Sequence, residues 1–333
     1  MKKFCTCLSL LITLNLFAQQ DAEKLQETAR AFNKQGDYTN AILVLNRAAA
    51  LKPTDLGIQK DIAFTQYLAG DYDQASVLIQ QLMEREDADV QTFQIAGNIY
   101  KGKGDSKECL KMYRKGLKKF PNSGALHFEY GEVLLTEKQP QEAIIQWEQG
   151  IDVDPSYSGN YYHAAKFYYY TKSNLVRTLI YGEVFVNLES YSIRTAEMKS
   201  LLLESYKQFY TSTPEADGKK TVSFETTVAT GLRKQSDQGA MGINAESLTA
   251  IRTRFLLDWF ENSAEKYPYR LFEQQQFLVR EGMFEAYNQW LFGPAADIVQ
   301  YQQWTAANQK KISDFTYYQK NRVFRMAPGQ NYK

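Results

Sequence analysis

The 333-residue chain predicts an all-α fold, an α-solenoid of helix–turn–helix repeats followed by a helical C-terminal domain. Two observations carry this reading. Gly36-Asp37-Tyr38, Gly70-Asp71-Tyr72 and Gly104-Asp105-Ser106 stand 34 residues apart, and Lys138-Gln139-Pro140 continues the register. A fixed period of this size marks units that each bury an apolar face against their neighbours. On either side of the turns, apolar residues recur at steps of three and four, the spacing of one helix face. Such an architecture is used for binding, and no residue pattern names the ligand.

Met1-Lys2-Lys3, the largely apolar run Phe4 to Phe17 and Ala18 before polar sequence read as a secretory signal peptide cleaved after Ala18. The run is shorter than the roughly 20 residues a membrane span needs. Cys5 and Cys7 lie too early in it to carry a lipid at its end. The expected mature protein is therefore exported, periplasmic or envelope-associated, with no integral membrane anchor. Without Lys2 and Lys3 the 39 basic residues become 37 against 38 acidic ones, so no basic excess points to nucleic acid. One cysteine, Cys109, remains after cleavage, which excludes an internal disulfide and leaves stability to packing.

In the first repeat Leu25, Ala29 and Phe32 share one helix face, and Gly36 frees the backbone where the helix ends. Asp37 is placed to cap a second helix whose inward face carries Ala41, Leu45 and Ala48, and Pro53 follows it. This arrangement resembles the tetratricopeptide repeat family, whose pattern Ala29, Phe32, Ala41 and Pro53 match. The third repeat offers Phe93, Gly97, Tyr100, Cys109, Tyr113 and Pro121; the fourth offers Gly131, Ala143, Trp147 and Pro155. The second keeps Ala63, Gly70, Tyr72 and Ala75 but has Asp87 in place of the proline. Cys109 falls at a small packing position and needs no reactive role. Gly116 and Gly150 weaken their helices by about 1 kcal/mol each relative to Ala, which close packing would offset. A fifth unit, Ser158 to Tyr191, is degenerate, with Arg177 where a small residue would stand. A long helix over Ile193 to Phe209 suits a terminal cap.

The boundaries that follow are 1–18 for the signal segment and 19–209 for the solenoid with its capping helix. Residues 210–243 are expected to be a linker or poorly defined segment, and 244–333 a helical C-terminal domain. Residues 221–232 fit either a strand or a helix capped by Ser223, and the helix is favoured because a lone strand has nothing to pair with. Beyond Asn244, Leu248, Ile251, Phe255 and Trp259 share one face. Leu271, Phe272, Leu278 and Val279 make another, and Phe284, Tyr287, Trp290 and Leu291 run to Gly293-Pro294. The last helices span about 295–324. The run Phe284 to Gly293 resembles the tails of other exported bacterial repeat proteins, a likeness that implies no activity.

Nothing in the chain spells out chemistry. The two histidines, His127 and His163, lack the spacing of a zinc site, and no G-x-S-x-G, Walker loop or G-x-G-x-x-G occurs. No cofactor or metal is expected, and the chain is not read as an enzyme. The family resemblance implies a concave groove lined by outward positions of each first helix. By register these include Gln26, Arg30 and Asn33; Lys60, Phe64 and Tyr67; Gln94, Asn98 and Lys101; Phe128, Glu132 and Leu135; Tyr162, Lys166 and Tyr169. The expected partner-binding residues are Arg30, Asn33, Lys60, Phe64, Tyr67, Gln94, Asn98, Lys101, Phe128, Glu132, Tyr162 and Lys166. Their mixture of aromatic, amide and isolated charged groups suits a protein or peptide partner. Gln26, Arg30 and Asp61 fit poorly the basic cluster with which some relatives grip C-terminal carboxylates. The expected function is an exported scaffold in envelope assembly or maintenance. Envelope glycan binding, suggested by the aromatic content, and an enzyme housed in the C-terminal half are the alternatives.

Overall fold

The computed structural model describes residues 21–212, 222–239 and 242–332, and among them every regular element is helical. The signal segment expected over 1–18 and part of the linker expected over 210–243 lie outside the described residues. The chain divides into two compact units, Met1–Gln139 and Pro140–Lys333.

The first unit holds α1 (21–34), α2 (Tyr38–Leu51), α3 (Leu56–Leu68), α4 (Tyr72–Met83), α5 (Val90–Lys103), α6 (Ser106–Lys119) and α7 (Gly124–Thr136). Its turns repeat one backbone solution. Gly36, Gly70 and Gly104 adopt φ of +76°, +78° and +73°, a left-handed conformation open to a residue without Cβ. The aspartate after each then caps the next helix: Asp37 accepts from the Asn40 amide, Asp71 from Gln74 and Asp105 from Glu108. Lys138 holds the same place at φ +59° without being glycine.

Small residues let the paired helices close on each other. Ala41, Ala75 and Cys109, at one repeat position, are all 0% exposed. A Cβ on Gly116 would stand 2.8 Å from the Phe93 ring, so the glycine's helix cost is offset by contact, as expected. Burial pushes the Cys109 thiol up to about 12, which removes it as a nucleophile at neutral pH.

The second unit begins with α8 (Pro140–Val153), α9 (Ser158–Thr171), α10 (Leu175–Leu188) and α11 (Ile193–Thr211). Lys172 makes the α9–α10 turn at φ +55°, and Gly150 gives room to Asn160, which a Cβ would meet at 2.3 Å. The ambiguous segment is helix α12 (Phe224–Arg233), capped by Ser223 and burying Phe224, Val228 and Leu232. There follow α13 (Ala245–Asn262), α14 (Arg270–Arg280), α15 (Phe284–Ala296), α16 (Ile298–Ala307) and α17 (Gln309–Asn321). Helix α15 packs on α11 and α13, and α12 on α10 and α13, so the helices after 244 share a compact unit with α8–α11.

One helix end differs from expectation. Gly293-Pro294 does not stop α15, which runs on to Ala296 with Pro294 inside it. A proline there cannot donate to the carbonyl four residues back, that of Trp290. Lys199 Nζ on α11 donates to that carbonyl at 2.9 Å and stands 3.5 Å from the Trp290 ring centroid. A neighbouring helix thus supplies the bond the proline removes.

Candidate functional site

Within Met1–Gln139, α3 lies against α5 and α5 against α7, so the first helices of successive repeats sit side by side. Helix α1 joins α3 through side chains. Gln26 donates to Asp61 at 3.0 Å, Arg30 pairs with the same carboxylate at 3.3 Å, and Asn33 donates to Thr65 at 2.9 Å. Between α5 and α7 the pattern returns: Gln94 donates to Glu129 at 2.9 Å, and Lys101 approaches it at 3.8 Å. Glu129 also accepts from the Tyr113 hydroxyl at 2.6 Å. Tyr113 reaches it over Gly97, where a Cβ would lie 1.8 Å from the tyrosine oxygen. Burial, then the Glu129 charge, raises the Tyr113 pKa well above its ordinary value and keeps it a donor.

Lys60 behaves differently. The residue one register step from Asp61 is Ile95, which offers no carboxylate. Lys60 turns inward to Asp89 at 2.6 Å and Gln91 at 2.8 Å, and is buried. Burial would lift the Asp89 carboxyl, but the bonds from Lys60 and Thr92 outweigh it and hold the group below the usual carboxylate range.

Of the expected binding residues in this unit, Arg30 and Lys101 are exposed, while Asn33, Phe64, Tyr67, Gln94, Asn98, Phe128 and Glu132 are half-buried. Phe64 and Tyr67 stack at 5.9 Å, and Tyr67 stands 6.0 Å from Tyr72 at the start of α4. Gly102 on α5 makes room for this cluster, since a Cβ there would meet Tyr72 at 2.7 Å and Tyr67 at 3.1 Å. Lys60 alone in this unit is withdrawn, because its ammonium is consumed by α5.

The two expected residues in Pro140–Lys333 are tied down together. Glu197 on α11 accepts from the Tyr162 hydroxyl and pairs with Lys166 at 2.6 Å. Tyr162 is buried and is not open to a partner. Asp61, Glu129 and Glu197 therefore play one role at positions 68 residues apart, each accepting from a residue 35 positions earlier. Reading only outward helix positions passes them over. The recurrence of acids at 61, 129 and 197 was the available signal.

Among the described residues no group of three or more His, Cys, Asp or Glu is placed to hold a metal ion. His163 lies 4.9 Å from Trp147, and burial, then the Lys166 and Arg194 cations, lower its pKa to about 4. A cavity of about 20 Å³ lined partly by Glu183, Arg252 and Gln275 is room for one water. Among the described residues no helix is long and apolar enough to cross a membrane.

Two family models, each described as Tetratricopeptide repeat, match residues 32–94 and 96–160. These residues are tetratricopeptide repeats. Solved structures of the same class are similar. A thermophilic TPR protein of Thermus thermophilus shares 17% identity over 55% of this chain and 99% of its own, with TM-score 0.43. A tetratricopeptide repeat protein of Parabacteroides merdae shares 16% over 77% of this chain and 97% of its own, with TM-score 0.35. YrrB, described as a TPR protein with an unusual peptide-binding site, shares 15% over 54% of this chain and 93% of its own, with TM-score 0.37. No curated protein sequence matches the chain. Tetratricopeptide repeats are generally non-enzymatic scaffolds for protein interaction, and residues 32–94 and 96–160 match such repeats.

Proposed function

We propose that the chain is an exported scaffold that binds an extended protein segment along the first-helix face of Met1–Gln139, in envelope assembly or maintenance. The supporting observation is the half-buried Phe64–Tyr67 stack beside Tyr72, on helices whose neighbours carry the amides Gln94 and Asn98. Aromatic anchors flanked by amides suit a segment that presents both apolar side chains and free backbone groups. The polar ladder at Asp61 and Glu129 limits the partner's chemistry. Arg30 and Lys101 already face carboxylates, so neither of these cations is left uncompensated for an acidic partner. The glycan reading draws no support from Trp147 and Trp259, which are buried.

The test is selection from a random peptide library with the full mature chain, repeated with Phe64→Ala/Tyr67→Ala. Peptides enriched by the wild type should bind the double variant at least tenfold more weakly while its melting is retained. Equal binding, or no enrichment, would sink the groove reading. Export is tested separately, by N-terminal sequencing of the protein recovered from the producing cell's envelope. A chain beginning at Gln19 supports it, and one that keeps Met1 opposes it.

A further inference from the structure

Beyond α17 the chain runs from Arg322 to Tyr332 without regular structure, and among the described residues no backbone–backbone hydrogen bond joins 323–332 to another element. Side chains hold it instead, and they do so residue by residue. Phe324 and Met326 are buried anchors. Gln330 Oε1 accepts the Arg270 backbone N–H at 2.8 Å, filling the cap that Tyr269 leaves unmade at the start of α14. Asn331 donates to Asp152 at 2.7 Å and accepts from the Tyr181 hydroxyl at 2.6 Å.

Tyr332 enters an aromatic pocket. Its ring lies 4.7 Å from Phe224 and 5.4 Å from Tyr267, and its hydroxyl donates to the Pro268 carbonyl at 2.7 Å. Its main-chain carbonyl accepts from Arg177 at 3.1 Å. That arginine is itself fixed by Glu148 at 2.7 Å and by Glu225. It is the residue that replaces the small one expected in the fifth repeat, so the departure from the repeat pattern has a use here.

An apolar pocket, a partner for each of two consecutive amide side chains and an arginine for the main chain make up a peptide-recognition site. Here the peptide belongs to the same chain. We propose that residues 324–332 are the resident ligand of this site in Pro140–Lys333, and that the site accepts the same segment from a second copy of the chain. The choice of occupant follows from the fit: Gln330, Asn331 and Tyr332 each find a matched group, so this is the sequence the site reads. The missing backbone ladder means that, among the described residues, release breaks no backbone–backbone hydrogen bond. The proposal concerns a surface separate from the first-helix face and does not depend on that face binding anything.

A fluorescent peptide with the sequence of residues 323–332 is titrated into the full wild-type chain and into full-length Tyr332→Ala, whose pocket is vacated. The variant should bind the peptide at least tenfold more tightly than the wild type, and a peptide with alanine at its tyrosine should lose at least tenfold. No saturable binding by a variant that still melts cooperatively, or equal binding by both chains, overturns the proposal. A second measurement needs no variant. Isotope-labelled and unlabelled wild-type chains are mixed and oxidised to couple Tyr332 to Tyr267. Mixed-isotope dityrosine that rises with concentration supports exchange, and same-isotope pairs alone overturn it.

Discussion

Gly97 shows how one missing methyl group organises several helices. Its bare backbone lets Tyr113 pass to Glu129, and Glu129 gathers Gln94 and Lys101 from the first-helix face. Gly97→Ala places a carbon inside the space of the tyrosine hydroxyl, and urea unfolding should record a loss of about 1–3 kcal/mol, the cost of overpacking. A neutral substitution would contradict the contact. His163 carries a second prediction. Its folded pKa of about 4 lies below the ordinary 6.5, so the unfolded chain takes up the proton first as pH falls. Its stability contribution is present above pH 6.5 and is lost down to pH 4, at up to about 1.4 kcal/mol per pH unit. In His163→Phe the fall in stability across that window should be shallower, and an unchanged slope would remove the histidine from the account.

At the scale of the element, the repeat turn outlasts its glycine. Positions 36, 70, 104, 138 and 172 all take positive φ, although the last two are lysines. The 34-residue register was therefore readable even where the residue type had drifted, because the backbone path is set by the helices on either side. A lysine in the left-handed region is strained by its Cβ. Lys138→Gly and Lys172→Gly should each stabilise by about 0.5–1 kcal/mol in thermal or denaturant unfolding, net of the extra freedom glycine gives the unfolded chain. A loss of stability in either would mean the lysine side chain supplies more than the strain it brings. Other element features were not readable in one dimension. The run of α15 past Gly293-Pro294 draws on Lys199, which lies 91 residues before the Trp290 whose carbonyl it bonds. The withdrawal of Lys60 from the first-helix face depends on Asp89 and Gln91 of the next repeat. Both are pairings between elements, whereas helical periodicity reports one element at a time.

At the scale of the molecule, the sequence made the helices after Asn244 visible but not their company. Glu183 on α10 accepts from Arg252 on α13, from Gln275 on α14 at 2.8 Å and from the Tyr287 hydroxyl on α15 at 2.6 Å. Arg252 also bonds Asn288, and all these side chains are buried. This network binds the last repeat helices to the C-terminal ones, which is why Pro140–Lys333 is one compact unit. Removing one partner leaves the other charge buried without its counter-ion. Glu183→Ala should cost about 3–5 kcal/mol, seen as early unfolding of Pro140–Lys333 by hydrogen exchange, with Met1–Gln139 less affected. Loss of protection in the first unit instead would mean the network is not local. Binding of a protein segment along the first-helix face is the function proposed for Met1–Gln139. Its most direct test is hydrogen exchange of the full chain with and without a library-selected peptide. Protection is predicted over α3 and α5, around Lys60–Tyr67 and Gln94–Lys101, and protection confined to Pro140–Lys333 would contradict it.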